Sequence, residues 1–376
     1  MKKFIVIPDS YKGTLSSIQI CNIMKKSILE QCPDSTVITI PIADGGEGTV
    51  DSYLHATNSL KVAVETTGPF GDPITTYYAR MKNTAVIETA SAAGLLLAEN
   101  NLNPRKATTY GLGLILKHAI HNGCTEIVLG LGGSCTNDGG TGLAQALGTK
   151  FYKEDGSVFT PTADTLVEIK KIDNSATQRL LKGCKVTAMC DIDNPMFGEQ
   201  GAAYVFAPQK GASPEDVKLL DNNLRALSEV IRSSLSKEVS SIPGTGAAGA
   251  LGAGVVAFLD GTLKSGIETL LDLIGFEDLL KDTDMVFTGE GRIDTQSLRG
   301  KVVIGIGLRC KKHKVPVTVV AGSVCDGIEN AYHMGINAIF SINRTPESFE
   351  VSRHYSDKSL ENTMNDIMRF YKAVSL

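Results

Sequence analysis

The sequence predicts an α/β fold with a mainly parallel sheet and two domains. Short apolar runs typical of buried strands alternate with longer amphipathic stretches, as in parallel strands joined by helices. The chain has 376 residues, more than one compact core usually holds. Glycine and carboxylate residues follow most of the strand runs, and in open α/β sheets the loops at strand ends bind ligands. We therefore expect two domains and a ligand site built from strand-end loops.

The predicted buried strands are runs of apolar residues too short for helices. They cover residues 4–7, 37–40, 127–131, 185–190, 285–288, 317–321 and 338–341. Residues 62–67 and 74–78 flank a turn-forming Gly-Pro-Phe-Gly-Asp-Pro segment, which predicts two antiparallel strands, with 85–89 as a third. This interruption predicts an insertion starting near Lys61. We expect one discontinuous domain of residues 1–61 plus 284–376, around an inserted α/β domain of residues 62–283.

Three helices are predicted from their end signals and apolar spacing. Ser213 is a typical N-cap before Pro214 and two acidic residues, so a helix should begin there. Ser265 with Glu268 resembles a capping box, and Gly275 suits a left-handed helix end. The C-terminal helix is predicted from one apolar stripe, formed by Leu360, Met364, Ile367, Tyr371 and Val374.

Composition excludes several classes of partner and site. The formal net charge is −4 and the pI is about 5.9, which disfavours binding to a nucleic-acid backbone. The eight cysteines are scattered without the spacing of a zinc site or a disulfide framework. The apolar run at residues 4–7 is too short for a signal peptide, and no run is long enough to cross a bilayer. We therefore expect a cytoplasmic protein with reduced thiols and no nucleic-acid or membrane partner.

Five glycine-and-carboxylate segments predict a phosphate-and-metal site. Glycine lets the backbone approach an anion and point several N–H groups at it, while nearby carboxylates can hold a divalent cation. The segments cover residues 8–13, 44–48, 132–140, 191–194 and 288–294.

A glycine-rich stretch at residues 244–249 contains the pattern G-x-G-x-x-G and precedes a predicted helix at 253–259. A helix N-terminus after such a turn can bind phosphate. A nicotinamide dinucleotide site would need a strand just before the glycines, and residues 239–243 are a poor strand. Close helix packing through small residues is the other interpretation. The chain contains no G-x-x-x-x-G-K-[ST] motif, so a P-loop ATPase is excluded at motif level.

The charged side chains in these segments each have two interpretations. Asp191 and Asp193 follow a strand and could bind Mg²⁺ or act on a hydroxyl, or they could form a turn closed by Pro195. Arg292 stands between two acids and could clamp a substrate carboxylate at two points. Lys12 and Lys210 could neutralise phosphate charge or could be solvated surface lysines.

Taken together, the segments resemble those of the bacterial glycerate kinases that phosphorylate D-glycerate. The resemblance is carried by Pro-Asp-Ser-Tyr-Lys-Gly at 8–13, Ala-Asp-Gly-Gly-Glu-Gly-Thr at 43–49, Gly-Gly-Ser at 132–134, Asn-Asp-Gly-Gly at 137–140, Phe-Ala-Pro-Gln-Lys-Gly at 206–211 and Thr-Gly-Glu-Gly-Arg-Ile-Asp at 288–294. It implies one flavodoxin-like domain with a mainly parallel sheet, a second mixed α/β domain and an active-site cleft between them. It also implies ATP, Mg²⁺ and glycerate, with 2-phosphoglycerate as the usual product and 3-phosphoglycerate as the alternative.

The role of each side chain is inferred from its chemistry, because the resemblance supplies motifs without roles. We expect in-line phosphoryl transfer in which positioning and charge neutralisation dominate. Asp191 would help to activate the hydroxyl, Arg292 would hold the carboxylate, and Lys12 would face the transferred group.

The other predicted residues form three sets. Substrate binding is assigned, besides Arg292, to Asp9, Ser10, Asp44 and Glu47; ATP binding to Gly132, Gly133, Ser134, Asn137, Asp138, Lys210, Gly244, Gly246 and Gly249; and the metal to Asp193, Glu290 and Asp294. A nicotinamide-dependent dehydrogenase and a non-catalytic metabolite-binding regulator are the alternative functions.

Overall fold

A computed structural model of the chain describes residues 1–42, 48–99, 101–298 and 302–374. The strands are β1 (Lys3–Val6), β2 (Thr36–Thr39), β3 (Leu60–Thr67), β4 (Pro73–Met81), β5 (Thr84–Glu88), β6 (Glu126–Gly130), β7 (Lys150–Tyr152), β8 (Val158–Phe159), β9 (Lys171–Asp173), β10 (Lys185–Met189), β11 (Thr262–Lys264), β12 (Met285–Thr288), β13 (Arg292–Ile293), β14 (Val317–Ala321), β15 (Ser323–Val324) and β16 (Ala338–Ser341).

The α-helices are α1 (Ser17–Gln31), α2 (Thr49–Ala56), α3 (Ala90–Ala93), α4 (Tyr110–His121), α5 (Thr141–Ala146), α6 (Ser175–Leu180), α7 (Ala202–Phe206), α8 (Pro214–Leu235), α9 (Ala247–Leu259), α10 (Gly266–Ile274), α11 (Phe276–Leu280), α12 (Val302–His313), α13 (Asn330–His333), α14 (Phe349–Ser352) and α15 (Ser356–Val374). Short 3₁₀ turns cover Leu96–Ala98, Leu166–Glu168, Pro208–Lys210 and Arg353–Tyr355. In the part of the chain that the structure describes, no helix is both long enough and apolar enough for a membrane crossing.

The chain folds into two compact units. The first comprises Met1–Asp44, His55–Thr57 and Ile267–Leu376, and the second comprises Gly45–Leu54 and Asn58–Gly266. Within the first unit, the guanidinium of Arg309 in α12 binds carboxylates of both α10 and α11. The predicted domain boundaries at 61 and 284 stay a prediction.

Among the described residues of the first unit, five parallel strands form one sheet in the spatial order β2, β1, β12, β14, β16. Counted in chain order within this unit, the order is 2-1-3-4-5, which is the flavodoxin-like arrangement. α1 packs against α15, and Phe4, Ile20, Met24, Leu360 and Met364 are buried in one cluster. The predicted C-terminal helix is confirmed, although Val374, at its end, is 65% exposed and does not continue the buried stripe.

The second unit contains a six-stranded sheet in the order β11, β10, β6, β5, β4, β3, as far as the described residues show. The first four strands are parallel, and β4 pairs antiparallel with both β5 and β3. A smaller antiparallel sheet joins β8, β7 and β9. The predicted mixed α/β fold is therefore confirmed, including the antiparallel strands around residues 68–73.

Local signals in the sequence predicted the ends of the buried strands to within one residue. The strands β12, β14 and β16 have the predicted bounds, and the other predicted buried strands are shifted by one residue or end one residue early. The side chain of Ser213 accepts from the amide of Asp216, whose carboxylate accepts from the amide of Ser213, so α8 begins with a capping box. Gly275 has a φ of 65°, as expected for a left-handed helix end.

Candidate active site

In the first unit, the loops that follow β1 and β12 lie side by side. This is the point in the 2-1-3-4-5 order where ligands bind in open α/β sheets. The backbone amide of Asp9 donates to the carbonyl oxygen of Gly289 at 2.8 Å. A Cβ atom on Gly289 would stand 1.9 Å from the carbonyl oxygen of Val320, and one on Gly291 would stand 3.2 Å from the amide nitrogen of Lys12. Gly291 therefore permits the close approach of the two predicted loops, and Gly289 permits that of the loop after β12 to β14.

A buried tyrosine holds the loop after β1. The hydroxyl of Tyr11 donates to the carbonyl oxygen of Val320 at 2.6 Å, and its backbone pairs with Leu15. Burial raises the pKa of the Tyr11 hydroxyl, and the Glu290 carboxylate raises it further. Lys12, the next residue, is exposed, so the turn is anchored by one residue and carries a cation on the next.

The predicted substrate-binding residues are only partly described. The Asp9 carboxylate accepts from the amide of Ser10 at 2.6 Å and from its hydroxyl at 3.3 Å, so these two residues form a turn just after β1. Asp44 and Glu47 lie outside the described residues.

Arg292 lies on a two-stranded parallel ribbon formed by β13 and β15. Its side chain is 68% exposed and its Nε is 3.7 Å from Oδ2 of Asp294. The same Nε donates to the sulfur of Cys325 at 3.1 Å. Oδ1 of Asp294 accepts from the amide of Gln296 at 2.8 Å. The ribbon thus presents an arginine at the carboxyl end of the sheet, beside a carboxylate that closes the following turn.

In the second unit, the loop at residues 132–140 is organised around the buried carboxylate of Asp138. Its oxygens accept from the amide and hydroxyl of Thr109 at 2.8 Å each, and from the amides of Gly140 at 3.1 Å and Gly142 at 3.2 Å. Burial raises the pKa of Asp138, and these hydrogen bonds oppose the rise. The Asp138 carboxylate therefore stabilises the loop from inside.

A buried lysine binds the same loop. The ammonium of Lys210 donates to the hydroxyl of Ser134 at 2.9 Å and to the carbonyl oxygen of Thr136 at 2.7 Å, and Lys210 is only 2% exposed. Burial lowers the pKa of Lys210 to about 8. The interpretation of Lys210 as a solvated surface lysine is therefore wrong.

The Lys210 pKa gives a testable pH dependence of stability. The pKa of the Lys210 ammonium is about 8 in the folded chain and 10.5 in the unfolded chain. Between these two pH values the unfolded chain binds more protons, so the contribution of Lys210 to the free energy of unfolding rises with pH by on the order of 2–3 kcal/mol. Cys135 and Asp138 face the same ammonium. Because the pKa of Cys135 is raised to about 11, the contribution of Cys135 to the free energy of unfolding falls as the pH rises.

The Lys210 part is isolated by comparing denaturant unfolding of wild type and Lys210→Met across this pH range. In Lys210→Met the free energy of unfolding should no longer show the rise with pH that Lys210 causes. Lys182→Met, at an exposed position, should keep this rise. Equal slopes in wild type and Lys210→Met would contradict the burial of a titrating ammonium.

The predicted glycine-rich segment 244–249 packs against the loop at 132–140. The amide of Gly139 donates to the carbonyl oxygen of Gly249 at 3.1 Å, and a Cβ atom on Gly249 would stand 1.9 Å from the carbonyl oxygen of Thr136. Ala248, Gly249 and Ala250 all have φ between 54° and 66°, a conformation unfavourable for alanine. The helix predicted at 253–259 is thus preceded by one left-handed turn inside the bounds of α9.

The same segment also contacts the residues that follow β10. The amide of Gly246 donates to the carbonyl oxygen of Asn194 at 2.9 Å, and a Cβ atom on Gly246 would stand 2.2 Å from the carbonyl oxygen of Pro195. Residues 239–246 contain no strand, so the dinucleotide fingerprint lacks its strand. The structure therefore brings three predicted segments of the second unit together.

Asn137 occupies an unusual position within this cluster. It is fully buried, and neither its amide nitrogen nor its amide oxygen has a hydrogen-bond partner among the described residues. The buried hydroxyl of Thr136 is in the same situation. Because buried polar groups in native proteins are paired with protein or with ordered water, we expect a polar partner beneath this loop.

Asp191 lies on the exposed surface just after β10. Its Oδ1 accepts from the hydroxyl of Ser265 at 3.0 Å and from the amide of Gly266 at 2.8 Å. A Cβ atom on Gly266 would stand 2.6 Å from Oδ2 of Asp191, so a larger residue at position 266 would displace this carboxylate. The carboxylate is held in one orientation at a strand end, as a group acting on a bound hydroxyl requires. Asp193, two residues on, is also exposed.

Several residues at these loops were missed from the sequence. Thr109, Ser265, Gly266 and Cys325 each bond to a predicted residue. All four are distant in the sequence from their partners, so no local pattern points to them.

A hollow of about 590 Å³ between β9, α6 and the ends of α8 and α9 shares no lining residue with the predicted site.

Within the described ranges, no group of three or more His, Cys, Asp or Glu side chains could hold a metal ion. Glu290 and Asp294 belong to the first unit and Asp193 belongs to the second. The residues described thus offer individual carboxylates rather than a complete protein cage for a metal.

Comparisons with known proteins agree over nearly the whole length of the chain. A family model described as "Glycerate kinase family" matches residues 4–372. The chain is 40% identical over 376 residues to a glycerate kinase of Bacillus cereus, covering 99% of each chain. It is also 40% identical over 343 residues to the glycerate 2-kinase of Escherichia coli K12, covering 90% of each. A solved structure described as glycerate kinase 2 of Salmonella typhimurium LT2 matches with a TM-score of 0.86 and 36% identity, over 100% of this chain and 99% of the other.

Proposed function

Because the chain belongs to the glycerate kinase family, a family of phosphotransferases, we propose that it transfers the γ-phosphoryl group of ATP to D-glycerate. The position of transfer is the 2-hydroxyl, giving 2-phosphoglycerate. This choice is supported by the 40% identity to a relative that is itself called a glycerate 2-kinase. We also predict that the protein is cytoplasmic.

The observation that carries the proposal is the convergence of the loops at 132–140, 191–195 and 244–249 within the second unit. Glycine-rich backbone around a buried ammonium is suited to bind an oligophosphate, since amide N–H groups and one cation offset its charge. In this proposal, Gly132, Gly133, Ser134, Gly244, Gly246 and Gly249 line the ATP site. Lys210 and Asp138 support it from inside, and Asn137 gains a polar partner there.

Catalysis follows from orientation and charge, because phosphoryl transfer requires little covalent chemistry from the protein. The Asp191 carboxylate, held by Ser265 and Gly266, accepts the proton of the attacking hydroxyl. Arg292 binds the carboxylate of glycerate. Lys12 faces the transferred phosphoryl group.

The remaining assignments are to glycerate binding and to the metal. Asp9 and Ser10, together with Asp44 and Glu47, contribute to glycerate binding. Mg²⁺ suits oxygen ligands and is commonly bound by one or two carboxylates together with substrate phosphates, which fits the individual carboxylates of Asp193, Glu290 and Asp294. When bound, Mg²⁺ neutralises phosphate charge.

The activity is tested by ADP release from ATP in the presence of D-glycerate. We expect release that depends on D-glycerate and on added Mg²⁺ and stops when the metal is chelated. A purified, folded protein that binds ATP without releasing ADP when glycerate is supplied would contradict the proposal and favour a regulator. Quenched NADH fluorescence on titration would instead favour a dehydrogenase.

Replacing Arg292 by lysine should raise KM for D-glycerate by about tenfold or more while changing kcat much less. Lysine keeps the charge but loses the planar fork that binds a carboxylate at two points, a loss of roughly 1.5–3 kcal/mol. Steady-state kinetics against D-glycerate and ATP separate the two effects. Arg344→Lys, which alters an exposed arginine paired with Asp366, is the matched control and should leave both constants unchanged.

A further inference from the structure

The guanidinium of Arg292 is held by a second residue on the same ribbon. β13 and β15 pair in parallel, with Arg292 opposite Ser323 and Ile293 opposite Val324. The amide of Cys325 donates to the carbonyl oxygen of Ile293 at 3.0 Å, which continues the ladder past the end of β15. This pairing places the thiol of Cys325 beside the arginine, where its sulfur accepts from Nε at 3.1 Å.

This hydrogen bond determines which edge of the guanidinium remains for a ligand. Five N–H donors lie in one plane, one on Nε and two on each terminal nitrogen. With Nε bound to sulfur, the pair of terminal nitrogens forms the remaining fork, whose geometry matches a carboxylate. The hydrogen bond thus selects end-on binding through Nη1 and Nη2.

The sulfur also competes with a carboxylate for the N–H group on Nε of Arg292. Oδ2 of Asp294 lies 3.7 Å from the same Nε, beyond hydrogen-bond distance. Without an acceptor at position 325, Nε would turn toward Asp294, and an exposed arginine side chain would lose its fixed orientation. Ordering it again would then oppose the binding of substrate, because a free arginine side chain has considerable rotamer entropy.

We propose that Cys325 is a positioning residue for substrate binding: its sulfur orients Arg292 so that the two terminal nitrogens bind the carboxylate of the hydroxy acid. The inference rests on the proposed role of Arg292 in glycerate binding. It predicts an effect on acid affinity and none on the phosphoryl-transfer step.

Cys325→Ala should raise KM for D-glycerate by about three- to tenfold, the range that the loss of one hydrogen bond gives. kcat and KM for ATP should stay within twofold of the wild-type values, because the lost hydrogen bond acts on the binding of the acid and not on phosphoryl transfer. Cys325→Ser retains an acceptor and should restore most of the affinity, whereas Cys325→Val, which fills the space without accepting, should resemble alanine. Cys184→Ala, at another half-buried cysteine whose sulfur donates to the carbonyl oxygen of Cys124, is the matched control and should match wild type.

A double-mutant cycle separates positioning from a general structural effect. In the Arg292→Lys background there is no Nε to orient, so Cys325→Ala should have no further effect on KM. Glyceramide, an analogue whose carboxylate is replaced by an uncharged amide, should bind wild type and Cys325→Ala equally in a calorimetric titration.

Three outcomes would overturn the inference: an unchanged KM in both Cys325→Ala and Cys325→Val, an equal rise in the Arg292→Lys background, or a serine variant as weak as alanine. If wild type turns over D-glycerate and one of these is found, only the inference fails. If wild type neither turns over D-glycerate nor binds it in the titration, the proposed function fails as well.

Discussion

Asp191→Asn should lower kcat for phosphorylation of D-glycerate by about 10²–10⁴-fold, the usual contribution of a positioned general base. Asparagine has the same shape, and its amide oxygen can still accept from the hydroxyl of Ser265 and the amide of Gly266, so the fold should be unchanged. What is lost is a group able to take the proton of the attacking hydroxyl. The measurement is kcat from steady-state ADP release, with circular dichroism and thermal unfolding to verify the fold.

The control for this substitution is Asp173→Asn, at an exposed carboxylate that also accepts from a backbone amide, that of Ser175. It removes one carboxylate of the same unit without touching the predicted loops, and kcat should remain at the wild-type value. A folded Asp191→Asn protein with wild-type turnover would show that Asp191 is not the base.

Gly249→Ala should destabilise the protein by about 3–5 kcal/mol, because overpacking at a backbone contact adds to an unfavourable left-handed conformation. The added Cβ atom would stand 1.9 Å from the carbonyl oxygen of Thr136, so the segment at 244–249 must separate from the loop at 132–140. Denaturant unfolding measures the loss, and we also expect weaker ATP binding, since the proposed phosphate site would be split.

Gly156→Ala isolates the contribution of the close contact. Gly156 also has a positive φ, 81°, but a Cβ atom there would have nothing within 4 Å. Its substitution should cost only the conformational penalty, about 1–2 kcal/mol. If the two variants lose the same stability, the loops at 132–140 and 244–249 do not pack as described.

The strands and several helix ends could be predicted because their signals are local. Residues 317–321 and 338–341 are mainly apolar runs of strand length, the first between Pro316 and Gly322 and the second preceded by Asn337, and β14 and β16 have those bounds. The turn-forming segment 68–73 between two strand patterns predicted β3 and β4, because turn chemistry depends on neighbouring residues. The N-cap at Ser213 was predicted for the same reason.

Features that depend on contacts between distant residues could not be predicted. The left-handed conformation of Ala248 and Ala250 is unfavourable for alanine, so no local rule indicates it, and it exists because the segment packs on another loop. Asp138 was predicted at the ATP site from its glycine neighbours, but its burial depends on Thr109, 29 residues earlier. The contact of Arg292 with Cys325 likewise spans 33 residues.

The most direct test of the proposed reaction is proton-coupled phosphorus NMR of the product formed from ATP and D-glycerate. Transfer to the 2-hydroxyl places the phosphate on a carbon with one hydrogen, so the new phosphomonoester signal should be a doublet, growing as the γ-phosphate signal of ATP disappears. A triplet would mean transfer to the CH₂ hydroxyl and 3-phosphoglycerate. No new phosphomonoester signal, with ATP unchanged beside a folded protein, would contradict the account.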